Sequence, residues 1–65
     1  MFNNEDSSEV RKRILSEAQI LFIKNGYRGT SVRDIAKASG TNVAMVNYYF
    51  QSKYNLFEII FEDAL

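Results

Sequence analysis

Apolar side chains recur at helical spacing along most of this chain, and the pattern breaks near Gly26, Gly40 and Gln51. Val10, Ile14, Ala18, Leu21 and Phe22 fall on one side of a helix, Leu15 widens the stripe, and no proline interrupts it. The spacing predicts a first helix from Ser7 or Ser8 to about Asn25, with an Asp6–Glu9 capping box as an alternative start. Gly26, after Lys24-Asn25, is suited to the left-handed position that ends a helix, and Tyr27-Arg28-Gly29-Thr30 reads as a short connector.

The second helix is expected from Ser31. Its hydroxyl can accept from the amide of Asp34, and the Asp34 carboxylate can reach back to the Ser31 amide. Negative charge there also suits the exposed amides of a helix start. Val32, Ile35 and Ala36 supply the inner face, and the small Ala36 lets a neighbouring helix approach. Ser39-Gly40 ends the helix, because Gly40 can take the positive φ of a sharp turn. Asn42, in preference to Thr41, caps a third helix from Val43 to about Tyr49. Val46 and Phe50 point inward together, while Val43 and Asn47 share another face. Gln51-Ser52-Lys53 interrupts the pattern, and Ser52 caps a fourth helix with Leu56, Phe57, Ile60 and Phe61 as its stripe.

The expected fold is all-α: a homeodomain-like three-helix bundle holding a helix-turn-helix, plus the start of a fourth helix. Residues 1–7 read as a flexible lead-in, 8–51 as the bundle, and 52–65 as the start of a connecting helix. Leu56, Phe57, Ile59, Ile60, Phe61 and Leu65 offer more apolar surface than a three-helix core covers. The expectation is therefore a piece of a longer protein whose fourth helix leads into further structure.

Composition narrows the chemistry. With 65 residues the chain suits one small domain, and its 46% hydrophobic content is too high for a disordered tail. It has no cysteine and no histidine, which excludes disulfides and Cys/His zinc sites. No cofactor is implied, and an enzyme is not expected, because Glu17 and Asp34 have no catalytic company. No apolar run approaches the ~20 residues that cross a bilayer, and the polar, acidic N-terminus is no secretory signal. A cytoplasmic protein is expected. Net charge is zero overall, yet every Lys and Arg lies between Arg11 and Lys53, where only Glu17 and Asp34 oppose them, so this span carries a net +6. Local charge of this kind attracts phosphate.

A fixed pair of short helices can set one of them in the major groove of double-stranded DNA. Arg33, in the first turn of the second helix, can reach a guanine edge or a phosphate. Thr30 and Ser31 stand where helix-end amides and hydroxyls meet phosphate. Val43, Ala44 and Met45, at the start of the third helix, can pack on thymine methyls, and Asn47 can pair with the adenine edge. Of Tyr48 and Tyr49, one is expected to present its hydroxyl to the backbone and the other, Tyr49, to be more buried. Lys53 occupies a helix start that would otherwise favour an acid, and phosphate is its expected partner. Arg11, Arg13, Lys24, Arg28 and Lys37 are weaker candidates. The rival reading is a helical protein-interaction or structural module that uses the apolar face of residues 56–65.

The motifs resemble those of the TetR/AcrR family of bacterial transcriptional regulators, over roughly residues 9–61. The resemblance runs through Ile14-Leu15, Ala18, Leu21-Phe22, Gly26-Tyr27, Thr30 to Ala36, Ala38-Ser39-Gly40, Val46 to Phe50, Ser52-Lys53 and Leu56-Phe57. It implies a DNA-binding domain joined to a ligand-binding and dimerisation domain, acting as a homodimer on a palindromic operator and repressing until a small-molecule inducer binds. By the same resemblance Arg33 and Val43 to Met45 face bases, and Ser31, Tyr48, Tyr49 and Lys53 meet the backbone. Asn47 departs from a usual tyrosine, Met45 from a threonine, Thr41 from a valine and Ser39 from an alanine; the last two should slightly weaken apolar packing at the turn.

Overall fold

The computed structural model describes residues 7–62, which form four helices: α1 (Ser7–Asn25), α2 (Val32–Ser39), α3 (Val43–Phe50) and α4 (Lys53–Phe61). Residues 1–6 of the expected lead-in, with the Asp6 cap, and Leu65 lie outside the described residues, whereas Ser7, expected in the lead-in, begins α1. The helix starts follow local chemistry. Ser31, Asn42 and Ser52 each take extended backbone and accept the amide three residues on, from Asp34, Met45 and Asn55. At α2 the cap is reciprocal, with the Ser31 amide donating to Asp34 Oδ2 at 3.0 Å and the Asp34 amide donating to Ser31 Oγ at 3.0 Å.

Helix ends are equally local. Gly26 and Gly40 take φ of +81° and +71°. At Gly40 the Thr41 amide donates to Ala36 O (2.8 Å) and the Gly40 amide to Lys37 O (3.3 Å), the double bond pattern of a Schellman turn. Gly29 is needed for a different reason: a Cβ there would collide with the Asn25 carbonyl.

Val10, Ile14, Ala18 and Phe22 of α1, Ile35 and Ala36 of α2, Val46 and Phe50 of α3, and Leu56 of α4 form one buried cluster. Its members are the positions that the helical period selects. The fourth helix is better covered than its apolar surplus suggested. Phe57 packs edge-on to Phe22 (ring centroids 5.2 Å) and to Tyr27 (5.1 Å), and lies 4.8 Å from Phe61. Edge-to-face pairs of this kind add to simple burial. α4 is thus seated against the end of α1, with Phe57, Ile60 and Phe61 half-buried. Tyr54 and Ile59 of α4 stay exposed, and so do Ile20 and Ile23 of α1, at 56% and 69%.

The α2–α3 turn carries a polar patch inside the bundle. Ser39 Oγ donates to Ile35 O at 2.8 Å and stands 2.9 Å from the Thr41 hydroxyl. These two polar replacements therefore satisfy one another and the last α2 carbonyls. Arg13 Nε donates to the Ser39 carbonyl at 2.8 Å, which ties α1 to the same turn.

Candidate nucleic-acid interface

The inward residues of α3 fix which of its side chains face solvent. Val46 and Phe50 are buried, and Met45 and Tyr49 are half-buried against the core. Val43, Ala44, Asn47 and Tyr48 are exposed. At 3.6 residues per turn these four span one continuous arc of about 140°. The Asn42 cap spends its side-chain oxygen on the Met45 amide (2.8 Å), which satisfies one of the open amides at the start of this helix. Tyr48 is 77% exposed, and its ring stands edge-on to Tyr49 at 5.1 Å and 81°. Tyr49 is the more buried of the two, as expected.

Met45 differs from its neighbours at the start of this helix. Its side chain is half-buried against the core, so the exposed apolar residues at the start of α3 are Val43 and Ala44. By the period Met45 falls at the edge between the two faces of α3, and its packing against the core decides its side.

On α2, Arg33 and Lys37 are exposed one turn apart on the same flank. Ser31 is also exposed, with its amide and one hydroxyl lone pair occupied by the cap. The Asp34 carboxyl is held below the usual carboxylate range by the Ser31 backbone N–H first, then by the Ser31 side chain, with a smaller contribution from Lys37. The cap is therefore strongest with Asp34 ionised.

Thr30 is a correction to the expected phosphate-facing hydroxyls. Only 1% of it is exposed, and its hydroxyl donates to Gly26 O at 2.9 Å and lies 3.1 Å from Leu21 O. The hydroxyl closes the open carbonyls at the end of α1 and does not face outward.

Lys53 stands half-buried beside the start of α2. Its ammonium donates to Tyr27 O (2.9 Å) and Thr30 O (3.0 Å) and sits 4.1 Å from the centre of the Tyr27 ring. Two of its three N–H bonds are thereby directed at backbone, leaving one for an outside acceptor. The start of α4 is thus joined through Lys53 to the connector between α1 and α2, at Tyr27 and at Thr30 next to Ser31. Among the weaker candidates, Arg11 places its guanidinium 5.1 Å from the centre of the Phe50 ring.

Two features of the α3–α4 junction had no signal in the sequence. Gln51 takes φ +69° and ψ −43°, and the Ser52 amide donates across it to Phe50 O at 2.8 Å. This is a γ-turn of the rarer, positive-φ hand, which is strained. The Asn55 side-chain Nδ2 donates to the same Phe50 carbonyl at 2.7 Å and braces the junction. Among the described residues no group of acids is arranged to hold a metal ion, and no helix is long and apolar enough to cross a membrane.

Comparison with known proteins agrees with this geometry. The sequence profile described as "Bacterial regulatory proteins, tetR family" matches residues 14–60. The probable HTH-type transcriptional regulator YttP of Bacillus subtilis is 46% identical over 48 residues, covering 74% of this chain and 23% of that protein. The HTH-type transcriptional regulator QacR of Staphylococcus aureus is 42% identical over 48 residues, covering 74% of this chain and 26% of that protein. The crystal structure of HlyIIR, a hemolysin II transcriptional regulator, superposes with a TM-score of 0.83 at 40% identity, covering 88% of this chain and 32% of that one. This chain therefore spans about a quarter to a third of the length of the relatives it matches.

Proposed function

The chain belongs to the TetR family of bacterial regulatory proteins, a family of DNA-binding helix-turn-helix regulators and not of enzymes, and from that premise we propose how it engages DNA. α3 enters the major groove with Val43, Ala44 and Asn47 toward the bases. Arg33 reaches a base edge from the first turn of α2. Ser31, Tyr48 and the remaining N–H of Lys53 meet the phosphate backbone, with Tyr49 supporting Tyr48 from behind. The observation that carries this reading is the continuous exposed arc of α3, set against a capped α2 by the Gly40 turn. The net +6 charge of residues 11–53 supplies the approach.

For the longer protein, the family suggests a cytoplasmic homodimer on a palindromic operator, held together by a C-terminal domain, repressing transcription and released by a small-molecule inducer. Footprinting on DNA beside its own gene locates the operator. Arg33→Ala should then weaken binding to that duplex by about 1–3 kcal/mol if Arg33 reads a guanine, and leave a scrambled duplex nearly unaffected. Equal loss on both reassigns Arg33 to phosphate. Absence of duplex binding at moderate salt, with self-association through the exposed apolar side chains, would favour the protein-interaction module.

A further inference from the structure

The outer face of α3 carries no charge at all. Its exposed residues are Val43, Ala44, Asn47 and Tyr48, and the helix has neither an acidic nor a basic residue in its first or last turn. Met45 is half-buried against the core and adds no charge. This composition restricts what the helix can read in a groove. A guanine edge offers two acceptors and is read best by arginine or lysine, and cytosine offers a donor amine read by a carboxylate. α3 presents none of these. What it does present is methyl groups, which complement the thymine 5-methyl, and one carboxamide, which matches the paired acceptor and donor of adenine.

We propose that this chain selects half-sites whose central base pairs, under α3, are A·T, with a single G·C pair at the flank where Arg33 enters from α2. The proposal rests on the DNA-binding reading above and specifies its ligand. Val43, 37% exposed at the first turn of α3, and Ala44 beside it form the methyl-reading surface. Asn47 stands one turn further along the same face, and its amide is the adenine reader. Arg33, with Lys37 one turn beyond it, is placed on α2 and is the guanine reader of the pair. Specificity is thereby divided between the helices: shape and methyls on one, charge on the other.

The test is selection of duplexes from a randomised library by the full chain, followed by anisotropy titration of the recovered site. A core of A·T pairs bordered by one G·C pair is the expected consensus. Replacing each core thymine by uracil deletes one methyl and should weaken binding roughly fourfold where that methyl is packed, by the value of one buried CH₂. Replacing a core adenine by 7-deazaadenine should weaken wild-type binding but leave Asn47→Ala unchanged. Because the first changes are made in the DNA, they do not depend on the folding of any variant. Selection of a G·C-rich core, or indifference to uracil at every core position, would overturn the proposal while leaving DNA binding intact. Failure to retain any duplex even at low salt would overturn the DNA-binding reading itself.

Discussion

Replacing Lys53 by methionine isolates what the ammonium does inside the protein. Methionine keeps the unbranched stem but removes the hydrogen bonds to Tyr27 O and Thr30 O and the cation over the Tyr27 ring. A hydrogen bond to a charged group contributes about 1.5–3 kcal/mol. An ammonium that is only half-buried retains much of its hydration, so about half of that is a reasonable net figure for each bond here. The cation–ring contact adds about 0.5–1 kcal/mol, and the freed rotamers of residue 53 return a comparable amount. The balance is a loss of about 2 kcal/mol. In a domain of this size each kcal/mol lowers Tm by roughly 4–8 °C, so a fall of about 8–16 °C is expected. Thermal unfolding followed by far-ultraviolet circular dichroism measures it. Lys53→Arg keeps the charge but places a planar fork where two carbonyls converge on one point, and it should recover only part of the loss. A fall below about 0.5 kcal/mol in Lys53→Met, the range of ordinary surface substitutions, would refute the view that this lysine braces the start of α4 against the α1–α2 connector.

Gln51→Gly should stabilise the protein. Relief of a backbone strained by about 1–3 kcal/mol outweighs the roughly 0.5–1 kcal/mol of extra chain entropy that glycine loses on folding. A urea midpoint that fails to rise would argue against strain at that turn. Asp34 has its folded pKa depressed, so its contribution is present above the unfolded value of 3.8 and is lost as pH falls through the lower folded value. Acidification below about pH 4 should therefore destabilise wild type more than Asp34→Asn; parallel curves would discount the cap. Ser39 and Thr41 form a polar pair, and removing both should cost less than the sum of the single losses, with a coupling of about 0.5–1 kcal/mol in a double-mutant cycle of Ser39→Ala and Thr41→Val. Strict additivity would mean the hydroxyls act separately.

The elements that could be read from the chain were those set by neighbours in sequence. Ser31 with Asp34, Asn42, Ser52, Gly26 and Gly40 mark helix ends because their partners lie within a few residues. The stripe from Val10 to Phe22 follows the helix period and is core as expected. Features set by distant partners were not legible. Nothing around Lys53 announces that its partners are carbonyls 23 and 26 residues away. Thr30 looks like an ordinary helix-start hydroxyl until the end of α1 is placed above it. Glutamine carries no signal for positive φ, so the turn at Gln51 emerges only when α3 and α4 must meet. On the interface, the exposed character of Val43, Ala44, Asn47 and Tyr48 followed from the period, whereas Met45 sat at the boundary between faces and only packing could assign it.

Thr30 has every polar group of its main and side chain committed: the amide to Tyr27, the carbonyl to Lys53, the hydroxyl to the closing turn of α1. Segments distant along the polypeptide must therefore arrive before this residue can settle. The path from the unfolded ensemble should pass through a late, concerted docking step, in which the beginning of α2 and the beginning of α4 become protected from hydrogen exchange together. Were the amides of those two stretches to exchange with clearly separate opening energies, the protein would be assembling in pieces and not as one foldon.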